Sequence, residues 1–499
     1  MKERGQWGSR LAFVLAASGS AVGLGNLWKF PYLAWRFGMS EGGTGAGGFV
    51  FVYLLSVLLV GLPVMVAEIV IGRLGRRNPV GSFEVLRPKT KWKYVGVLGV
   101  VTGFLIMSYY CVVAGWSIEY VAKSIAWEFS GYDTSITDKE ALQHVWEKEG
   151  KGESFEAFAS KLQAKQDLET ILRETKLQIF PERLFQDFIS SPAKLVFYLF
   201  VLIALTALVV LGGIKKGIER WNKILMPALL LIMLILVARA VTLPKGGQAL
   251  EALLYPDLSS VGFDTVLWAL GQAFFSLSLG MGAMVTYGSY MRREDKITPS
   301  ALMVSLVDTL IALCASFVIF SSIMSYNIQL KGGGIGNLFT AIPAIFIHMP
   351  MGRALCILFY FLVAFAALTS TVSLLEVVAS YFIDQRGMDR RKSVILSSTG
   401  IFVLGVPCAL SFNLLKDVTF FSKTFFDLLD FLCANIALPL GGIFLCIFAG
   451  FVLKHEEVKK ELFELSSGAV LVWRFLVRFV APAAIFCVFL GLIMGRISA

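Results

Sequence analysis

The sequence predicts an all-α membrane protein with about eleven transmembrane helices. Of its 499 residues, 57% are apolar and 16% are charged, which is more hydrophobic surface than one soluble core buries. Many of its apolar runs reach the roughly 20 residues that a helix needs to cross a bilayer. We name the predicted runs spans 1 to 11, and they lie near residues 10–36, 46–72, 94–126, 192–212, 219–240, 262–292, 298–325, 351–384, 392–412, 424–452 and 469–495.

The loops between these spans predict the orientation of the chain. Lysines and arginines cluster before span 1 and in the loops that follow spans 2, 4, 6 and 8, all on the side of the N-terminus. Because short cytoplasmic loops carry the excess of basic residues, we predict a cytoplasmic N-terminus. With an odd number of spans, the C-terminus is then predicted outside. These loops account for the formal net charge of +10 without a nucleic-acid partner.

One long polar insertion, residues 127–190, separates spans 3 and 4 and is predicted to lie outside. It carries more acidic than basic residues, and we expect a partly helical external cover in preference to an independent binding domain. The insertion contains no cysteine. All seven cysteines lie in apolar segments without CxxC spacing, so we predict small buried hydrophobes and neither disulfides nor a metal site.

Spans 1 and 6 carry glycines and hydroxyl residues in their middle, in the segments Ser18–Pro31 and Phe275–Gly282. Unsatisfied amides in hydrocarbon are costly, so broken backbone is tolerated there only where it faces protein or water. The amide end of such a break suits a carboxylate and the carbonyl end suits a cation, which predicts a transport site. Paired glycines are also typical of close helix packing, and this alternative stays open. The interruptions of span 1 argue against a cleaved signal peptide.

Side-chain oxygens accompany both breaks and recur in the middle of span 8. They belong to Asn26, Ser276, Ser278, Thr369 and Ser370. A hard monovalent cation favours several neutral or weakly charged oxygens, so these residues are candidate ligands. Hydroxyls in membrane helices also commonly bond to their own preceding turn, and for Thr369 and Ser370 the sequence leaves this alternative open.

Three acidic residues, Glu68, Asp308 and Glu376, lie inside apolar spans. Carboxylates are rare at such positions and mark either function or a polar network. For Glu68 and Glu376, the anchoring of a broken helix and direct ligation remain open. Asp308 is the stronger candidate ligand.

The residues Trp7, Gly19–Pro31, Gln272–Tyr290 and Thr369–Ser370 resemble motifs of the neurotransmitter:sodium symporter family, specifically of its bacterial amino-acid transporters. The resemblance extends over nearly the whole chain. It implies a leucine-transporter fold of two inverted five-helix repeats, with spans 1 and 6 unwound at mid-membrane. Residues 1–240, including the insertion 127–190, would form the first repeat and residues 241–452 the second. Residues 453–499 would add the eleventh span.

This resemblance also implies an activity, a location and a set of site residues. The protein would be no enzyme but a sodium-coupled symporter of the bacterial inner membrane, with an amino acid as its small-molecule partner and with sodium and the lipid bilayer as further partners. The first of two sodium ions would bind the Ala21 carbonyl, Asn26, Ser276, Asp308 and the substrate carboxylate. The second would bind the carbonyls of Gly19, Val22 and Ala366 with Thr369 and Ser370.

The resemblance places the substrate between the two breaks. Its carboxylate would meet the amides of Leu24 and Gly25 and the Tyr110 hydroxyl, and its ammonium would face the backbone of Ala21, Phe275 and Ser278. The residues implied to bind substrate are Ala21, Leu24, Gly25, Ile106, Tyr110, Phe275, Ser276, Ser278, Met281, Ser370 and Leu374.

Two gates are implied as well. Lys29 would pair with Asp430 on the outside, above Tyr110 and Phe275. The inner gate would comprise Arg4, Asp384, Trp7, Ser289 and Tyr290. For Arg4, a purely topological role of the basic N-terminus is the alternative.

Four positions refine the implied function. Lys29 stands where the family usually has arginine, and an ammonium lacks the bidentate fork, so a looser outer gate is expected. Asp308 stands where many relatives have asparagine, and its charge predicts chloride independence. Gly23 leaves room for the substrate's own carboxylate, and the flexible thioether of Met281 admits bulky side chains. We therefore expect a neutral, hydrophobic or aromatic amino acid.

The sequence also bears on three other classes of function. A channel would show a ring of charges or a repeated filter segment, and none is visible. An enzyme is disfavoured because the three histidines lie in no catalytic or metal-binding constellation. A proton-coupled transporter or antiporter of the same fold is the nearest rival, with Asp308, Glu68 or Glu376 as the proton carrier.

Overall fold

The computed structural model describes residues 5–40, 45–131, 136–149, 154–163, 168–259, 261–326, 328 and 334–493. Within these ranges the chain is almost entirely helical, and the β-structure they contain is one isolated bridge between Phe420 and Lys423. This confirms the predicted all-α class.

Helices occupy all eleven predicted spans. In the described part of the chain, nine of them are long and apolar enough to cross a membrane: Gly47–Gly75, Lys93–Ala126, Pro192–Leu211, Ile214–Val241, Ile297–Tyr326, Gly352–Arg386, Arg390–Leu410, Phe425–Val452 and Ser467–Leu492. Span 1 is a bent pair, Arg10–Ala21 and Gly25–Met39, with 58° between its halves. Span 6 is divided into Phe263–Ser276 and Ala283–Gly288, each half too short to cross a membrane alone.

Both breaks lie where the glycines predicted them. The first half of span 1 ends at Ala21, because Val22 has an extended conformation with φ −70° and ψ 114°. In span 6, Gly280 and Gly282 have φ values of +81° and +78°, in the left-handed region that glycine tolerates best. The chain therefore leaves the helix at both places and exposes backbone amides and carbonyls there.

The spans pack in a pattern that fits the predicted inverted repeat. Spans 3 and 8 pack on each other most extensively, and spans 4 and 9 form a second pair. In an inverted repeat, span 1 corresponds to span 6 and span 2 to span 7. The first half of span 1 contacts span 7, and the first half of span 6 contacts span 2, so the two contacts are equivalent under the repeat. The repeat boundaries at residues 240 and 452 stay a prediction.

Shorter helices cover the ends of this bundle. Outside the insertion they are Pro79–Leu86, Gly246–Leu254, Asn337–His348 and His455–Glu461. The described part of the insertion contains a 3-10 turn, Glu128–Gly131, and the helices Asp138–Glu149, Phe155–Gln163 and Leu168–Ile189. The last of these packs on Asn337–His348, where the rings of Phe185 and Phe339 stack at 5.9 Å. The insertion is thus a partly helical cover attached to the bundle.

Burial corrects one detail of the sequence analysis. Cys111, Cys356, Cys408, Cys433 and Cys446 are buried among the helices, as predicted. Cys314 is half-buried and Cys487 is exposed on span 11, so the prediction of a buried hydrophobe is wrong for Cys487. Span 11 packs mainly on spans 2, 6 and 10, which leaves its other face on the periphery.

Candidate substrate and sodium sites

The two helix breaks face each other across a cavity near the centre of the bundle. Ser278, in the break of span 6, donates a hydrogen bond to the carbonyl of Ser20 in span 1 at 2.8 Å. Spans 3 and 8 supply the remaining walls. The residues that line this cavity include all eleven predicted substrate residues: Ala21, Leu24, Gly25, Ile106, Tyr110, Phe275, Ser276, Ser278, Met281, Ser370 and Leu374.

The amide end of span 1 meets Tyr110 at this cavity. The Leu24 amide donates to the Tyr110 hydroxyl at 3.4 Å, so the hydroxyl stands beside the amides that start the second half of the span. A Cβ atom built on Gly23 would lie 3.1 Å from Ser370 Oγ and 3.2 Å from Tyr110 Oη. These distances are tighter than ordinary contacts, so position 23 has no room for a larger side chain. The arrangement leaves this corner uncharged and rich in donors.

Three of the four residues predicted for the first sodium ion, Asn26, Ser276 and Asp308, form one buried cluster, and the fourth, Ala21, lines the adjoining cavity. Asp308 is fully buried, and its Oδ2 lies 2.8 Å from the Ser276 hydroxyl and 3.3 Å from the Tyr53 hydroxyl. Asn26 Nδ2 donates to Asp308 Oδ1 at 2.7 Å, while Asn26 Oδ1 accepts from the Gly23 amide at 3.0 Å. The cluster provides one carboxylate and several neutral oxygens, a donor set that fits a hard monovalent cation.

A second group of oxygens converges on Ser370 without any charged side chain. Its Oγ lies 3.0 Å from the carbonyls of Val22 and Ala366 and 3.4 Å from that of Gly19. Thr369 Oγ1 lies 3.1 Å from the Ala366 carbonyl. Both hydroxyls donate to carbonyls of their own helix, as hydroxyls in membrane helices commonly do. The Ser370 hydroxyl also contacts carbonyls of span 1. All five oxygens predicted for the second sodium ion are therefore close together.

The other two acids inside apolar spans bind groups of the protein itself: Glu68 binds a backbone amide and Glu376 binds two side chains. Glu68 Oε1 accepts from the amide of Gly280 at 2.7 Å and so ties span 2 to the break of span 6. Glu376 accepts from the Tyr290 hydroxyl at 2.7 Å and pairs with the Arg390 guanidinium. Neither lines the described cavity. The geometry favours the anchoring interpretation for both residues.

At the outer gate, the structure places Lys29 against aromatic rings. Its Nζ lies 5.3 Å from the Phe275 ring centre and 5.8 Å from that of Trp268. Lys29 and Asp430, both described, interact through their charges but form no ion pair within 4.0 Å. The predicted direct pair is therefore not made in this conformation.

At the inner gate, Trp7 is buried on span 6. Its indole donates to the Tyr287 carbonyl at 3.0 Å, and its amide donates to the Tyr290 carbonyl at 3.1 Å. Ser289 Oγ donates to the Thr286 carbonyl at 2.6 Å. Elsewhere at this gate, Asp384 Oδ2 accepts from the Asn78 amide at 2.7 Å. Its predicted partner, Arg4, lies outside the described residues.

Sequence reasoning missed two cavity residues, Ser20 and Ser373. Both line the cavity, and Ser20 Oγ donates to Ser373 Oγ at 2.8 Å. Ser20 lies inside the motif of span 1, and Ser373 lies one helical turn after Ser370 on the same span. The three-residue spacing from Ser370 could have predicted that Ser373 lies on the same face of span 8.

Comparison with known proteins agrees with this geometry. The profile of the Sodium:neurotransmitter symporter family matches residues 4–497. An uncharacterized sodium-dependent transporter of Bacillus subtilis, YhdH, is 34% identical over 491 residues, covering 98% of this chain and 97% of that protein. A second one, from Haemophilus influenzae, is 32% identical and covers 98% of each. A sodium- and chloride-dependent betaine transporter of Caenorhabditis elegans is 26% identical over 97% of this chain and 81% of its own length.

A solved structure is similar over the same extent. The crystal structure of MhsT in complex with L-phenylalanine superposes with a TM-score of 0.80 at 35% identity, covering 98% of this chain and 100% of MhsT. The family is one of transporters and not of enzymes, and its sodium-dependent members support sodium as the coupling ion. On this evidence the chain belongs to the sodium:neurotransmitter symporter family.

Proposed function

We propose that the protein imports a neutral hydrophobic or aromatic L-amino acid together with two sodium ions by alternating access. The observation that carries this proposal is the arrangement of one cavity between two oxygen clusters. The cluster of Asp308, Asn26 and Ser276 lies on one side, and the cluster around Ser370 lies on the other. A zwitterion and its coupling cations thus have complementary groups within one site.

The two ends of the cavity differ in the way that an amino acid requires. Backbone amides and the Tyr110 hydroxyl at the start of the second half of span 1 suit a carboxylate, because the positive end of a helix favours an anion. Ile106, Met281 and Leu374 give the remaining wall an apolar character that suits a hydrophobic side chain. The structural relative MhsT, crystallised with L-phenylalanine, supports the same class of substrate.

Sodium at the Asp308 cluster would share the substrate carboxylate as a ligand. Bound sodium then raises the affinity for the amino acid, and the bound amino acid raises the affinity for sodium by the same factor. Each positive charge that follows the membrane potential inward supplies about 2.3 kcal/mol per 100 mV. The membrane potential thus drives sodium inward, and the mutual affinity of sodium and amino acid makes the two move together.

Alternating access would move spans 1, 2, 6 and 7 against the remaining spans. Phe275 and Tyr110 would close over the substrate, with Lys29 and Asp430 approaching each other farther out. On the cytoplasmic side, opening would separate Arg4 from Asp384 and release Trp7 from span 6. The N-terminus would be cytoplasmic and the C-terminus external. The membrane would be a bacterial inner membrane, because the two sodium-dependent relatives with 34% and 32% identity come from bacteria.

A chloride requirement is not expected. The fixed negative charge of Asp308 already compensates the cation in the buried cluster, so no external anion is needed for charge balance.

Binding of radiolabelled amino acids to the purified protein tests the proposal in three buffers: sodium chloride, sodium gluconate and potassium chloride. We expect saturable binding of a hydrophobic amino acid in both sodium buffers and its loss in potassium. Binding that requires chloride would refute the role given to Asp308. Binding that is indifferent to sodium would refute the two-sodium site.

A proton-coupled transporter of the same fold is the second candidate. The observation in its favour is that Asp308 is a fully buried carboxylate with hydroxyl and amide partners, which a proton could neutralise in place of sodium. Uptake into proteoliposomes driven by a pH gradient without sodium would establish this mechanism instead.

A further inference from the structure

Three serines of the cavity have side chains that the proposed function does not use. Ser20 in span 1, Ser278 in the break of span 6 and Ser373 in span 8 form what we call the serine cluster. All three line the cavity, and each is at least nine-tenths buried. Hydroxyls in membrane helices commonly bond only within their own helix, but here Ser20 and Ser278 bond across to other spans.

Every hydroxyl proton of the serine cluster is already engaged. Ser20 Oγ donates to Ser373 Oγ at 2.8 Å, and Ser373 Oγ donates to the Ser370 carbonyl at 2.8 Å. Ser278 Oγ donates to the Ser20 carbonyl at 2.8 Å. Each serine hydroxyl has one proton and two acceptor lone pairs. What the cluster offers to a ligand is therefore acceptor capacity.

The backbone of Ser278 supports a specific need for its hydroxyl. Its φ of +54° lies in the left-handed region, where a residue with a Cβ is strained. The neighbouring positions Gly280 and Gly282 meet the same demand with glycine. A serine at a strained position beside a ligand cavity favours a functional use of its side chain.

The surroundings of the serine cluster define the ligand group that would meet it. Ile106, Met281 and Leu374 line the same cavity with apolar surface, and Phe275 adds an aromatic ring. A fully apolar side chain would leave the spare lone pairs of the serine oxygens unused, whereas a hydrogen-bond donor carried on an apolar body would match both the polar and the apolar wall.

We propose that the serine cluster makes the transporter prefer amino acids whose apolar side chain carries a hydrogen-bond donor, such as the indole N–H of tryptophan or the phenol O–H of tyrosine. This inference rests on the proposed function, because it assigns the substrate of the same cavity. One hydrogen bond of this kind corresponds to a preference of roughly two- to tenfold in affinity.

Two matched ligand pairs test the preference directly. The first pair is tryptophan and 3-benzothienylalanine, in which a sulfur replaces the indole N–H at nearly the same shape, and the second is tyrosine and phenylalanine. Each is measured by competition for sodium-dependent binding to the purified full-length protein. We expect the donor-bearing member of each pair to bind about two- to tenfold more tightly.

Variants of the serine cluster link the preference to these residues. Ser373→Ala and Ser278→Gly should each bring the affinity ratio of tryptophan to its sulfur analogue towards one, and Ser278→Gly also relieves the backbone strain. A ratio measured within one variant does not depend on how much protein is active. Ser380→Ala is the matched control, because Ser380 is buried in span 8, donates to the Val377 carbonyl at 2.9 Å and is absent from the cavity lining.

The outcomes separate this inference from the proposed function. If the wild-type protein does not distinguish the members of either pair, or if the variants keep the wild-type ratio, the serine cluster does not select the substrate. If only aliphatic amino acids bind in a sodium-dependent way, the serine cluster does not select the substrate and the proposed function stands. If no amino acid, aromatic or aliphatic, binds in a sodium-dependent way, the proposed function itself fails. A ratio that changes equally in Ser380→Ala also overturns the assignment.

Discussion

Position 23 offers the sharpest test of how tightly the substrate and the second sodium ion are fitted together. A Gly23→Ala Cβ would stand 3.1 Å from Ser370 Oγ and 3.2 Å from Tyr110 Oη, so both neighbours must retreat by a few tenths of an ångström. Gly23 has no positive φ, so alanine fits its backbone and the substitution changes only the occupied space. Because Ser370 and Tyr110 are proposed ligands, their displacement weakens contacts to charged groups, each worth about 1.5–3 kcal/mol, which corresponds to a loss of roughly 10- to 150-fold in affinity.

The assay is sodium-dependent binding of the preferred amino acid, with sodium and substrate each titrated at a fixed concentration of the other. Since Ser370 is a proposed sodium ligand and Tyr110 a proposed carboxylate ligand, both apparent affinities should fall. Gly271→Ala is the matched control: it lies in the first half of span 6, and its new Cβ would meet Val488 Cγ1 at an ordinary 3.5 Å. Wild-type affinities in Gly23→Ala would refute the placement of substrate against this glycine.

Three further predictions concern buried and surface carboxylates. Asp308→Asn should make sodium-dependent uptake respond to chloride, measured against gluconate; a variant as indifferent to chloride as the wild type contradicts the charge-compensation argument. Glu68→Ala should lower the melting temperature more than Glu68→Gln, since only alanine leaves the Gly280 amide without an acceptor, at about 1–3 kcal/mol. Arg87 donates to Glu457 and lowers the pKa of that carboxylate below its ordinary 4.5, so this stabilisation is present above pH 4.5 and is lost as the pH falls through the lowered pKa. Melting curves between pH 6 and pH 3 should show that loss in the wild type and a smaller one in Arg87→Ala.

The parts of the site that were predictable from sequence are those where polarity conflicts with a membrane. Gly280 and Asp308 stand out inside apolar spans because broken backbone and buried charge are expensive in hydrocarbon. Each such residue needs a physical reason, and a cavity with cation-binding oxygens supplies it. The resemblance then implies particular ligands, and the structure brings Asn26, Ser276 and Asp308 together in one cluster and the oxygens around Ser370 in another.

Other features depend on distances that no local pattern encodes. Lys29 and Asp430 are far apart in the chain, and whether they touch depends on the conformation of the gate. The exposure of Cys487 depends on which face of span 11 packs on the bundle. The bond between Ser20 and Ser373 depends on the approach of spans 1 and 8, which the order of residues in either span does not specify.

The two oxygen clusters connect different parts of the bundle, and this difference gives the ions different tasks under the proposed mechanism. Asn26, Ser276 and Asp308 belong to spans 1, 6 and 7, which would move together, so a cation there fixes the shape of the site within one body. The cluster at Ser370 joins carbonyls of span 1 to span 8, which would move apart. A cation that bridges two bodies holds them closed only while it stays bound, because its ligands separate with the bodies. Under the proposed mechanism, release of the second ion would therefore be the step that frees span 1 to move, whereas the first ion would leave with the substrate whose carboxylate it shares.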